Sequence, residues 1–301
     1  MSRRSAPVST PIRAAEDRAL RARVVSTRPL AGVTGGSALL EVGGRLLAVH
    51  DDAFRVSWIE PRSGAVDALV LAGDGAPLAK ADKPDFEAAV RTPDGALHVL
   101  GSGASEKRCM LARIDPVTSA VTLRQRSRLY RCVQGALASG ERPNVEGAIA
   151  DGERLRLFNR AAGRAPNASV DLPLEALDGA APRVLALRRF ELGALDGVRL
   201  GFTDAALLRD GRSVFSATAE DAPDAIADGP VVGSVIGLLE PDTGGGAARW
   251  TRLVDADDRP LAHKVEGIVV DADRKGGWLL TDSDDARVPS ALLRVALDGF
   301  N

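Results

Sequence analysis

Short apolar runs rich in Val, Leu and Ile recur along the chain, broken by PDG, DG, GG and PRSG turn signals, and long amphipathic helical patterns are nearly absent. Short runs with this punctuation predict many antiparallel strands. Two segments depart from the pattern. Residues 11–24 (PIRAAEDRALRARV) and 172–179 (LPLEALDG) predict short helical turns.

Internal repetition organises the strands. Four segments share a carboxylate, a small residue and then an apolar strand: DFEAAV at 85–90, NVEGAI at 144–149, FTDAAL at 202–207 and KVEGIV at 264–269. The repeated acids, Glu87, Glu146, Asp204 and Glu266, lie about 60 residues apart. A weaker fifth copy, GGSALL at 35–40, has Ser37 in the acidic slot. Each interval holds about four strands, for example 87–91, 96–101, 109–114 and 119–125. The third unit reads as strands at 146–150, 154–159, 167–171 and 183–190, the fourth at 204–208, 212–218, 231–239 and 248–254. Four-stranded sheets repeated at this period predict a β-propeller.

The last unit supplies only three strands, near 266–271, 276–281 and 290–296, while RARVVSTRPL at 21–30 precedes the first unit. If that segment forms the outer strand of the last blade, the ring closes and no long edge stays exposed. The expectation is an all-β protein: an N-terminal extension at 1–20, then a single five-bladed β-propeller of four-stranded antiparallel blades over 21–301. A six-bladed ring is the alternative, and it needs a unit that the sequence does not display.

Antiparallel order places the starts of inner strands and the ends of second strands on one face. On that face fall Asp85 and Glu87, Asn144 and Glu146, Thr203 and Asp204, Lys264 and Glu266. With them come His50, Asp51 and Asp52, Ser102 and Ser105, Asn159 and Arg160, Glu220 and Asp221, and Asp282, Asp284 and Asp285. The opposite turns carry ordinary hairpin residues, so the polarity is one-sided. Crowded carboxylates raise one another's pKa values. Either a hard cation with oxygen ligands, Ca²⁺ or Mg²⁺, or the nearby Lys83, Arg108, Arg160 and Lys264 must offset them. His50 and His263 fall on the same face, whereas His98 lies within a strand and reads as structural. TDSDD at 281–285 lacks the Gly and the final Glu of an EF-hand loop.

Composition narrows the partners. At 27% charged residues with net charge -2 and no basic stripe, the chain argues against nucleic acid. No apolar run reaches the roughly 20 residues that span a bilayer, so no membrane partner is expected. Arg3 and Arg4 are followed by no apolar run of a signal peptide, and the expected compartment is the cytoplasm. Cys109 and Cys132 have no metal-type spacing and read as small buried hydrophobes.

The set KPDFE, NVEG, GFTDA, SATAED, GSVIG, KVEG and TDSDD, in that order over residues 35–295, resembles a bacterial β-propeller family of uncharacterised function, itself similar to phytase-like and esterase-like propellers. The resemblance implies a propeller with a polar, metal-binding channel mouth. The chain departs from calcium phytases in lacking a basic phosphate-binding cluster and a sixth unit.

Three function classes follow. In the first, a metal-assisted hydrolase of a phosphoester, ester or lactone, Glu87, Glu146, Asp204 and Glu266 hold a Ca²⁺ or Mg²⁺ ion that activates water. Glu220, Asp282 or His50 is then the general base, and Arg160 or Lys264 holds a small anionic substrate. In the second, the chain is a non-catalytic binding or scaffold module with a structural carboxylate ring, for a protein partner that the sequence does not name. The third is a glycosidase. It is disfavoured by a 4% aromatic content and by Trp58, Trp250 and Trp278 lying off the polar face.

Overall fold

The structure is a computed structural model that describes residues 10–222, 229–241, 247–285 and 287–301. Two N-terminal strands, β1 (Ile12–Glu16) and β2 (Arg21–Pro29), precede a run of four-stranded sets. The first set is β3 (Gly36–Val42), β4 (Arg45–His50), β5 (Arg55–Ile59) and β6 (Val66–Val70). The second is β7 (Phe86–Arg91), β8 (Leu97–Gly101), β9 (Met110–Ile114) and β10 (Val121–Gln125), followed by helix α1 (Ser127–Leu137). The third is β11 (Val145–Asp151), β12 (Arg154–Asn159), β13 (Asn167–Pro173) and β14 (Ala186–Glu191). After the short β15 (Ala194–Leu195) comes the fourth, β16 (Val198–Leu207), β17 (Ser213–Glu220), β18 (Val231–Leu239) and β19 (Ala248–Val254). The chain ends with β20 (Lys264–Val270), β21 (Gly276–Asp282) and β22 (Ala291–Asp298), to which β2 adds antiparallel along its whole length.

The arrangement is that of a β-propeller. The innermost strands touch in the cyclic order β3, β7, β11, β16, β20 and back to β3. Crowding around this axis explains the glycine of two repeats. A Cβ on Gly147 would lie 3.2 Å from the Cα of Asp204, and one on Gly267 would lie 2.8 Å from the Cβ of Leu39. Apolar side chains fill the wedges between neighbouring sets. Leu47, Val49, Phe86 and Val99 lie between the first and second, and Leu39, Leu46, Leu280 and Leu292 between the last and the first. Between the third and fourth, Phe158, Phe190 and Phe215 each meet Phe202 edge-on at 5.3 Å. Each fully buried ring or branched aliphatic stabilises by about 1.5–3 kcal/mol, so the wedges hold the ring together.

Two local expectations are corrected. Residues 11–24 are not helical. Ile12 to Glu16 form a parallel strand registered on β14 and β19, and the next segment is β2. The alternating burial of Ile12, Arg13, Ala14 and Ala15 suits the open edges waiting there, and that tertiary pairing overrides helix propensity. Conversely, Ser127–Leu137 is an α-helix, with Leu129, Tyr130, Val133 and Leu137 buried at helical spacing. The segment at 172–179 contains a 3₁₀ turn, Leu174–Leu177, as its sequence predicts. Cys109 is buried and Cys132 half-buried, both as free thiols.

Candidate active site at the channel mouth

Every innermost strand carries a β-bulge, near its start in all but β16, where it lies mid-strand. The register slips past Ser37, Glu87, Glu146, Thr203 and Glu266. A bulge re-aims the extra residue out of the ladder. Ser37, Glu87, Glu146 and Glu266 accordingly line a cavity of about 190 Å³ at one end of the channel. Among the described residues, eight carboxyl side chains and five cationic ones share that lining, and none of the three tryptophans does.

The fourth repeat is shifted by one residue from its sequence-based alignment. Thr203, not Asp204, sits at the bulge, and its hydroxyl donates to the Ser216 hydroxyl at 2.9 Å. Asp204 takes the place of the small residue, off the cavity lining. There its carboxyl accepts the Ile268 amide at 2.9 Å and the Ala205 amide at 2.7 Å, tying β16 to β20. Burial pushes its pKa well above the usual carboxylate range. Asp204 is therefore a brace between strands and does not join Glu87, Glu146 and Glu266.

His50 is the second correction. It is fully buried and absent from the lining. Its Nδ1 accepts from Arg55 Nε at 3.2 Å, which leaves Nε2–H to donate to the Ser57 hydroxyl at 2.8 Å. Burial, then the Arg55 charge, push its pKa down to about 3. This tautomer cannot take a proton from Ser57, and the ring cannot reach a substrate in the cavity.

The remaining candidates, Glu220, Asp282, Arg160 and Lys264, do converge on the cavity. Arg160 extends from the end of β12 across Gly201, where a Cβ would stand 2.7 Å from its Cγ, so the glycine leaves it room. Its guanidinium lies 2.7 Å from Glu220, 3.5 Å from Glu266 and 3.8 Å from Glu146. Lys264 Nζ lies 2.7 Å from Asp284, 3.6 Å from Glu266, 3.7 Å from Glu220 and 3.9 Å from Asp282. Both cations are committed to carboxylates. On the opposite wall Lys83 bonds Asp51 and lies 3.2 Å from Asp85, which also takes Arg108 at 2.9 Å and the Ser102 hydroxyl. Asp85 holds a left-handed backbone (φ 54), a conformation that costs a non-glycine residue about 1–3 kcal/mol and recurs at functional sites.

Burial dominates the acidities. It raises Glu87 well above the ordinary value, aided by the Glu146 and Asp85 charges. It raises Glu146 to about 7 and Glu266 to about 8, although Arg160 and Lys264 pull both back. Asp282 is also raised well above its usual range by burial, whereas at Asp284 burial is overcome by Lys264 together with the Asp282 hydrogen bond and the Arg160 charge, and its pKa is lowered. Asn144 Nδ2 donates to Glu146 Oε1 at 2.6 Å and fixes its orientation. One oxygen each of Asp51, Asp85 and Glu87 fall within 4.8 Å of one another, a hard-oxygen set that could hold a metal ion.

The cavity also takes Asp284, Asn144 as an orienting donor, and the exposed Arg199, none of which has an assigned role in the sequence reading. Asp284 and Asn144 stood in the polar loops of the predicted face, whereas nothing in the sequence marks Arg199.

The solved structures similar to this chain are β-propeller-like. Glutaminyl cyclase from Myxococcus xanthus matches at a TM-score of 0.50 with 11% identity, covering 96% of this chain and 99% of that one. A luciferin-regenerating enzyme matches at 0.48 with 9% identity over 93% of this chain and 97% of its own. The PQQ-bound aldose sugar dehydrogenase of Streptomyces coelicolor matches at 0.43 with 14% identity over 93% and 98%. At such identities the likeness to glutaminyl cyclase concerns the fold alone, and a phytase-like link is not carried. No protein of curated function matches. A family profile does match residues 32–297, nearly the whole ring, and the chain belongs to that family, a family of unknown function designated DUF6929.

Proposed function

We propose that the channel mouth of a five-bladed propeller is the active site of a hydrolase for a carboxylic ester or lactone, with Glu146 as general base. The observation that carries this reading is Glu146 itself, a buried carboxyl poised at about 7, fixed by Asn144 and lining a polar cavity of about 190 Å³. A base titrating near the working pH is the one that both exists ionised and accepts a proton readily. Glu146 would take the proton of an attacking water and return it to the leaving oxygen. As it takes the proton, Arg160 loses one of its three carboxylate partners, and its charge becomes free to stabilise the oxyanion. Charge disfavours the phosphoester branch, because Arg160 and Lys264 are already occupied and carboxylates exceed cations around the cavity. The test is a pH–rate profile on an ester and lactone panel. Activity should rise through about pH 7 and fall in Glu146→Gln by about a hundred- to ten-thousand-fold. Undiminished hydrolysis in that variant sinks the reading.

A second reading keeps the metal-assisted hydrolase, and the clustering of Asp51, Asp85 and Glu87 favours it. A Ca²⁺ or Mg²⁺ ion there would polarise a substrate carbonyl. It has to displace the Lys83 ammonium, which already bonds Asp51. Elemental analysis with and without chelator decides, since stoichiometric metal supports this reading and none removes it. The scaffold class, by contrast, expects Glu146→Gln to be silent in every assay of turnover.

A further inference from the structure

We propose that the cavity receives a primary ammonium group against Glu266, so that the hydrolysed ester or lactone carries that cation. The link to a substrate rests on the hydrolytic reading above, whereas the binding itself stands on geometry. Glu266 is only 3% exposed and lines the cavity. Its Oε1 faces Arg160 at 3.5 Å and Lys264 at 3.6 Å, but its Oε2 is buried without a hydrogen-bond partner. Buried carboxylate oxygens are ordinarily satisfied, and an orphan on a residue that lines a cavity marks a missing donor.

The charge distribution says what kind of donor is missing. Around Glu266 the carboxylates of Glu146, Glu220, Asp282 and Asp284 face two cations, Arg160 and Lys264. Neither can turn to Oε2 without abandoning a partner it already holds. A water molecule would satisfy the oxygen but bring no charge, so the surplus carboxyls would still have to hold protons, one of which a bound cation can replace. A divalent ion such as Ca²⁺ takes about six to eight oxygen ligands, and the surrounding oxygens are engaged. A primary ammonium brings one positive charge and up to three N–H donors, which suits a single free acceptor in a crowded acidic pocket. The three-carboxylate group of Asp51, Asp85 and Glu87 is a poorer site for it, because Lys83 and Arg108 already balance two of those acids.

The experiment is a thermal melt and calorimetric titration of the full chain with n-propylammonium chloride. Tetramethylammonium, sodium and calcium chlorides at equal ionic strength are the comparison arms. Only n-propylammonium should raise Tm in a saturable way, with heat of binding, and its dissociation constant should weaken about tenfold or more in Glu266→Gln. Equal shifts from tetramethylammonium or sodium would overturn the proposal, as would a calcium response in place of the ammonium one, or full binding by Glu266→Gln. If that variant does not fold, the wild-type contrast between n-propylammonium and tetramethylammonium still decides. Ammonium binding with no turnover of any aminoalkyl ester refutes the hydrolytic reading alone, and turnover without ammonium binding refutes this inference alone.

Discussion

Glu146 must be ionised to act as a base, so its burial sets the working pH. Burial raises its pKa to about 7, and kcat/KM is therefore expected to fall as pH drops below that value. Asp204 has a different duty and a different signature. Asp204→Ala removes the acceptor for the Ile268 and Ala205 amides and is expected to destabilise by about 1–3 kcal/mol for each amide left unpaired. Asp204→Asn keeps a carbonyl acceptor in place, and its urea midpoint should stay near wild type. Equal losses from the two variants would show that the brace is something other than hydrogen bonding. The sequence places Glu87, Glu146 and Glu266 at the channel because acid followed by a small residue recurs before an apolar strand. It misplaces Asp204 because a bulge leaves no mark in composition. Thr203 fills the slot, and an acid stands where the other repeats have Ala or Gly. His50 deceives in a similar way, since only the buried Arg55 and Ser57 contacts reveal that its ring faces away from the cavity.

At the scale of elements, the N-terminal segment is a strap across three sets. Strand β1 pairs in parallel with β14 and β19, and β2 pairs with β19 and, antiparallel, with β22. Among the described residues, removing 1–16 takes away the short parallel pairings, the Arg13–Glu191 ion pair and the half-buried packing of Ile12 and Ala14. It is expected to lower Tm modestly, by the few degrees that correspond to about 1 kcal/mol in a chain this long. Removing residues 1–30 also strips β22 of its outer partner, exposes the Leu293 and Val295 neighbourhood of the core, and should give an aggregating protein with no cooperative melt. Indistinguishable melts for the two truncations would mean that β2 does not close the sheet. The strands of the second to fourth sets were readable because Val, Leu and Ile runs are separated by glycine turns. Helix α1 was readable in principle from Leu129, Tyr130, Val133 and Leu137, but it hides inside a long connection between β10 and β11. The parallel pairing of β1 was not readable, because it depends on where the edges of two distant sheets happen to lie.

At the scale of the molecule, a ring that gathers eight carboxyl groups at one mouth holds protons that the unfolded chain releases. Glu146, Glu266, Glu87 and Asp282 all have raised pKa values in the folded state. Their contribution is complete below the unfolded carboxylate range and is lost as pH rises through about 7 and about 8 for Glu146 and Glu266. Stability is therefore expected to increase by a few kcal/mol on going from about pH 8.5 to 5.5, the carboxyl gain exceeding the roughly 1–1.5 kcal/mol that buried, neutral His50 costs there, and the increase should shrink in Glu266→Gln. A melt that is flat over that window, or that drops toward pH 5.5, goes against protonation of the ring. The measurement that reaches the central claim most directly is a ¹³C carboxyl NMR titration of Glu146, assigned by its loss in Glu146→Gln. A midpoint near 7 is the expected result and makes Glu146 a base poised for neutral-pH catalysis. A midpoint near the ordinary glutamate value of about 4.3 would contradict it and leave the ring a permanently ionised brace between blades.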